Sequence, residues 1–292
     1  MNGLFEQLLS RGPVLTDGAW GTEFQARGLE GGECPDYWNL THPDRVEEVA
    51  RAYVEAGSQV ILTNTFRANR VALGGHGLAP QMREINLRGA EISRRAAAGR
   101  ARVFASLGPS GKMLMMGEVS EDELLAAFTE QAQALAEGGA DALIFETMSD
   151  LAEAKVGVQA ARTTGLPVIV SMAYDSGKNL DRTMMGTTPE TAAAELTDAR
   201  ADAIGANCGQ GIESYAALCR RLRQSTTLPI WLKPNAGLPE LVDGGTRYHT
   251  APEAFAQHAQ ELLAAGASFL GGCCGTSPAF IRALGGVLRE RK

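Results

Sequence analysis

The chain has 292 residues, enough to bury a core without disulfide staples and enough for one large domain or two small ones. With 34 acidic against 27 basic side chains the net charge is −7, which excludes the basic face expected of a nucleic-acid binder. No stretch approaches the roughly 20 apolar residues that span a bilayer, so no membrane role is expected.

The N-terminal segment MNGLFEQLLSRGP lacks a basic region followed by an apolar run, so no secretory leader is expected. Short continuous apolar runs then recur at 14–17, 59–64, 103–107, 142–146, 168–172, 203–207, 230–233 and 268–271. Continuous runs bounded by Gly, Pro or polar residues predict parallel strands buried on both faces. Helical patterns lie between them. The first is expected to be capped by Asp44, with Glu47 three residues on, and to stop at Gly57. Ser120 with Glu123 forms a capping-box pattern ahead of a helix that ends at Gly138 and Gly139. Further helices are expected near 81–98, 150–164, 188–199, 212–225, 252–266 and 278–290.

Eight strands alternating with eight helices predict an α/β fold, a (β/α)8 barrel forming a single domain over residues 1–292. The alternative is an open doubly wound sheet, but no dinucleotide fingerprint supports it. A barrel places its site where the strands end and the βα loops begin. Those positions hold Asp17 and Gly18, Thr63, Glu146, Cys208, Asn235, and the pair Cys273 and Cys274.

Five cysteines are too few and too odd in number for a disulfide framework, so reduced thiols in a cytoplasmic protein are expected. Cys208, Cys273 and Cys274 fall on one rim, whereas Cys34 and Cys219 are expected to be structural. Gly271, Gly272 and Gly275 let the segment turn so that adjacent cysteines can face one point. Three thiolates suit a soft metal, of which Zn2+ is the most common candidate, and leave a fourth position open. A closed, non-catalytic zinc- or thiol-binding barrel would need a fourth protein ligand, for which His249 stands nearest in sequence. Asp17 and Glu146 either cap helices or hold an ammonium group. The segment 108–112 hints at a phosphate loop but lacks the first glycine of that pattern. Met113, Met115 and Met116 are expected to fill gaps rather than to line a pocket.

GGCCGTSP at 271–278 with GANCG at 205–209 resembles the zinc-dependent homocysteine S-methyltransferases. That family includes betaine–homocysteine methyltransferases and the homocysteine domain of cobalamin-dependent methionine synthase. TDGAWGTEF, WNLTHPDRV, LTNTFRAN, LGPSGKM, FETMSDLAEAK and PNAGLP extend the likeness over about residues 14–284. The resemblance implies zinc on Cys208, Cys273 and Cys274, homocysteine contacts at Asp17, Gly18, Thr63 and Glu146, and an aromatic donor contact at Trp38. It implies that Glu146 holds the homocysteine amino group and that zinc activates the substrate thiol for attack on a methyl group. The methyl donors it offers are betaine, S-methylmethionine, S-adenosylmethionine, or a corrinoid or folate carried by a separate partner protein. Vertebrate-type betaine users carry tyrosines where this chain has Arg67 and Thr147, and a guanidinium there opposes a bare cation. Assembly as a homo-oligomer is compatible with all of these readings.

Overall fold

The computed structural model describes residues 2–242 and 245–289. Eight parallel strands form its centre: β1 Val14–Leu15, β2 Val60–Ile61, β3 Arg102–Leu107, β4 Ala142–Met148, β5 Val168–Met172, β6 Ala203–Gly211, β7 Ile230–Asn235 and β8 Phe269–Leu270. Each strand pairs with the next from β2 to β8, and β8 pairs with β1. At the remaining seam the Gln59 N–H donates to the Leu15 carbonyl at 2.8 Å, and the Leu15 N–H to Gln59 Oε1 at 3.0 Å. The (β/α)8 barrel read from the sequence is therefore the fold.

The strands differ in length from expectation. β1, β2 and β8 form ladders of two residues, because the chain leaves the sheet early to build loops at the rim. β4 and β6 run longer through register shifts, between Phe145 and Met148 and between Asn207 and Gly211. Such irregularities re-aim side chains and are common beside active sites.

Helices surround the barrel at Pro43–Glu55, Met82–Ala97, Glu121–Glu137, Leu151–Arg162, Pro189–Asp198, Tyr215–Ser225 and Pro278–Arg289. The stretch expected as one helix at 252–266 is divided at His258 into Pro252–Gln257 and Ala259–Ala264. The Ser120–Glu123 capping box is present in both directions. Asp44 is not the cap expected of it. Pro43 starts that helix with its φ already set, and Asp44 lies in the first turn, where the helix dipole favours its charge. Residue 290 of the last expected helix lies outside the described residues.

The molecule has two apolar layers. One lies between the strands and the outer helices. The other fills the lower barrel, where Phe104, Trp231 and Phe269 meet Phe5. Phe5 belongs to a helix at Gly3–Leu9 that was not expected, and it is wholly buried. These rings plug the N-terminal end of the barrel, so polar groups in the upper half can be reached only from the rim. No helix among the described residues is long and apolar enough to cross a membrane.

Candidate active site and metal centre

The three rim cysteines converge. Their sulfur atoms all lie within 4.8 Å of one another, and Cys208 Sγ is 3.9 Å from Cys274 Sγ. Cys208 lies within the register shift of β6 and adopts φ +61°, a conformation rare for a residue with a side chain. Cys273 and Cys274 sit in the turn after β8. Gly275 has φ +80°, and the Tyr248 ring occupies the space a Cβ would need there. Zn–S bonds of about 2.3 Å at tetrahedral angles place sulfurs about 3.8 Å apart, so the cluster fits a zinc ion. Among the described residues no histidine, carboxylate or further cysteine joins the group.

The thiols oppose one another's ionisation. At Cys208 the hydrogen bond with Cys273 lowers the pKa, but the bond with Cys274, burial and the Cys274 charge lift it to about 11. At Cys274 the bond with Cys208 lowers it, but the bond with Cys273, its charge and burial prevail, giving about 12. Cys273 is raised as well, chiefly through its bond with Cys208. Holding three thiolates in this volume therefore calls for a cation among them. Asn207 supports the cluster: its Nδ2 lies 3.7 Å from Cys273 Sγ and donates to Thr147 Oγ1 at 2.7 Å. Its Oδ1 accepts from Thr147 N–H and from Ser171 Oγ, both at 2.7 Å.

Below the cysteines lies a buried charged group. Glu146, at the end of β4, accepts a hydrogen bond from Ser106 Oγ at 2.5 Å. Lys233, on β7, donates to Asp17 Oδ1 at 2.6 Å, and its side chain is 3% exposed. Asp17 Oδ2 accepts from the Leu62 N–H and from Trp20 Nε1, each at 2.7 Å. Burial lowers the Lys233 pKa, but the fields of Asp17 and Glu146 outweigh it and raise the value, so the ammonium stays charged. Burial raises Glu146, against the field of Lys233 and the Ser106 hydroxyl. Two carboxylates and one ammonium leave this floor with room for one more cation.

Floor and cysteines face a cavity of about 300 Å³. Its lining includes Gly18, Trp20, Phe24, Thr63, Phe66 and Ser106. Asp36 and Arg67 also border it. Burial pushes the Asp36 carboxyl up to about 6, although the Arg67 N–H bonded to it, at 3.0 Å, pulls the other way. The folded value exceeds the unfolded one, so the native state gains a proton and loses stability as pH rises from about 4 to 6. Asp36→Asn carries no such cost. Its stability relative to the parent should improve by about 2–3 kcal/mol between pH 4 and pH 7, read from urea unfolding. A gap independent of pH would contradict this account.

The structure places Cys208, Cys273, Cys274, Glu146, Gly18 and Thr63 on the cavity wall. Asp17 stands behind that wall, fully buried, and acts through Lys233 and Trp20. Two expected contacts are not there. Trp38 is 2% exposed and packs in the outer layer against Phe24, with ring centroids 5.5 Å apart, because it opens the short helix Trp38–Thr41. Asn235 is buried at the end of β7, off the cavity wall, and its Oδ1 has no hydrogen-bond partner. His249 is no metal ligand either: it is exposed and bonds Glu240 at 2.9 Å, while its neighbour Tyr248 reaches the cysteines. The 108–112 segment holds no anion site, since buried Glu153 accepts the Ser110 N–H at 2.7 Å. Met113, Met115 and Met116 fill no gap: they are exposed. Cys34 and Cys219 are buried away from the cluster, as expected.

Lys233, Ser106 and Trp20 were missed from the sequence. A lysine inside the apolar run IWLKPN was the available signal, because a charge buried on both faces must find a partner. Trp20, three residues after Asp17, was the other.

The sequence profile of the family described as homocysteine S-methyltransferase matches residues 14–288. The chain belongs to that family. The description of that family is methyl transfer to the sulfur of homocysteine. Methionine synthase of Mycobacterium tuberculosis is 33% identical over 306 residues, which cover 98% of this chain and 25% of the relative. Methionine synthase of Mycobacterium leprae is 34% identical, covering 96% and 24%. The chain thus spans about a quarter of the length of the curated relatives it matches. The homocysteine methyltransferase MmuM from Escherichia coli, solved in a metallated form, superimposes with a TM-score of 0.81 at 25% identity, covering 99% of each chain.

Proposed function

We propose that this homocysteine S-methyltransferase uses a zinc ion held by Cys208, Cys273 and Cys274 to methylate homocysteine, with a small donor supplying the methyl group and methionine as the product. The observation that carries the reading is the convergence of three sulfurs on the wall of a cavity whose floor is a buried carboxylate–ammonium group. The metallated form of MmuM and the methionine synthase relatives support it. A reducing cytoplasm, which keeps the three thiols free, suits it.

When bound, zinc supplies the Lewis acidity that favours a thiolate over a thiol at neutral pH. The protein's own groups position the acceptor. Glu146, steadied by Ser106, takes the homocysteine ammonium through a charge-assisted hydrogen bond. That ammonium is the cation the floor lacks. Lys233, anchored on Asp17, favours the ionised form of Glu146 and so sustains this contact. Gly18 and Thr63 bound the acceptor space, and Trp20, Phe24 and Phe66 exclude water from the region where the methyl group passes. A bond forms between the homocysteine sulfur and the methyl carbon as the donor's bond to that carbon breaks, its electron pair leaving with the donor.

A second reading rests on the relatives named methionine synthase, four times as long as this chain. In it a separate corrinoid- or folate-bearing protein presents the methyl group at the rim.

X-ray absorption of the zinc-loaded protein, paired with assays for methionine, tests the proposal. Three sulfur neighbours should become four on adding homocysteine, and methionine should form from at least one of betaine, S-methylmethionine, S-adenosylmethionine and methylcobalamin. A shell of four protein ligands that homocysteine leaves unchanged would refute it.

A further inference from the structure

Arg67 is fixed at its backbone and free at its tip. On one side its N–H donates to Asp36 Oδ1 at 3.0 Å. On the other, the carbonyl of Phe66 accepts from the Gly108 N–H at 2.6 Å, and the Phe66 ring fills the space above Gly108, where any Cβ would collide. The preceding Thr65 carbonyl accepts from Gln131 Nε2 at 2.9 Å. The segment thus holds one course along the cavity wall. Arg67 is exposed and borders the cavity, and its guanidinium makes no ion pair and no hydrogen bond among the described residues. Nearby arginines behave otherwise: Arg70 is bidentate on Glu130, and Arg27 pairs with Glu23. The Asp36 carboxylate feels the charge of Arg67, but it bonds the backbone N–H rather than the guanidinium.

The rest of the cavity is suited to other groups. The floor, with Glu146 and Asp17 against Lys233, lacks a cation. The sulfur cluster suits a metal. The aromatic wall of Trp20, Phe24 and Phe66 is apolar. Arg67 therefore supplies the unpaired positive fork of this pocket, and its planar donors match a carboxylate bidentately.

We propose that Arg67 is the specificity-determining residue for the methyl donor and selects donors that carry a carboxylate. This rests on the methyl-transfer reading above and narrows its donor to zwitterionic onium compounds, in which the methyl-bearing cation faces the aromatic wall and the carboxylate faces Arg67. A bare onium cation of the same size meets the guanidinium's repulsion with no compensating contact.

Matched donor pairs test it. S-methylmethionine is compared with its carboxyl methyl ester, and dimethylsulfonioacetate with trimethylsulfonium, in the zinc-loaded parent and in Arg67→Gln. The parent should favour the carboxylate member by about 10–100-fold in kcat/KM, the worth of a hydrogen bond to a charged group. In Arg67→Gln that preference should collapse through donor KM, with homocysteine KM unchanged. A guanidinium that merely held Asp36 ionised would alter both members of each pair alike. A preference that survives the substitution overturns the proposal. So does a rise in homocysteine KM, which would assign the guanidinium to the acceptor's carboxylate. If no donor is turned over, the functional reading is what has failed. Calorimetric titration of the same pairs into homocysteine-loaded protein then decides the role of Arg67, and equal affinity for both members of a pair refutes it.

Discussion

Cys273→Ala should fold, lose its metal and lose its activity together. Cys273 interacts with both other cysteines, and the amide of Asn207 approaches its sulfur at 3.7 Å. Removing one of three sulfurs leaves two ligands, fewer than catalytic zinc sites use. Zinc content after dialysis should fall from near one equivalent to a trace. Methionine formation should drop by about 10²–10³-fold or more, the range for loss of a main electrostatic contributor. The thermal midpoint of the metal-stripped variant should match that of the metal-stripped parent, because the cluster lies on the rim rather than in either apolar layer. A variant that keeps stoichiometric zinc, or activity within about tenfold of the parent, would remove the cluster from the mechanism.

How far the sequence announced this site depends on what each residue needs. The cysteines were legible because a β/α repeat fixes which positions end a strand, and strand ends share one rim whatever the register. Glu146 was legible for the same reason. Lys233 was not. In IWLKPN it reads as the polar residue that ends a strand, whereas the structure continues β7 to Asn235 and turns the lysine inward onto Asp17. Facing is set by barrel stagger, which periodicity alone does not give. Trp38 failed in the opposite sense. Its place in the first βα loop puts it near the rim in sequence, but two tight turns of helix rotate the indole into the outer layer, and Trp20 lines the cavity instead. The strained geometry at Cys208 and Thr147, with φ of +61° and +58°, left no trace in residue type, since neither is glycine. At Thr147 two hydrogen bonds with the Asn207 side chain override local preference, and at Cys208 the carbonyl accepts from the Tyr215 hydroxyl at 2.6 Å.

Lys233→Met should be the most destabilising single change in the site. The lysine side chain is 3% exposed and Asp17 wholly buried, so water cannot replace the lost ammonium. The substitution leaves Asp17 and Glu146 as two carboxylates in one buried floor with no cation between them. Removing one partner of a buried pair costs about 3–5 kcal/mol, which should appear as a lower urea midpoint with the slope retained. The pH dependence has a definite sign. Lys233 has a folded pKa above its unfolded value, so its contribution is complete below about pH 10 and is lost as pH rises through the higher folded value. The gap between parent and variant should therefore hold steady from neutrality to about pH 10 and narrow above it. Toward acid it should narrow as well, because Glu146, already raised by burial, takes up a proton more readily without the ammonium beside it. Asp17→Asn combined with Lys233→Met separates charge from packing. An asparagine oxygen still accepts from the Leu62 N–H and from Trp20, so the double variant keeps those bonds while removing the uncompensated charge. It should recover much of the stability that Lys233→Met loses. If the double variant is instead less stable than Lys233→Met by the full cost of a second deletion, the two residues do not act as a pair, and the floor of the cavity is held by packing rather than by charge.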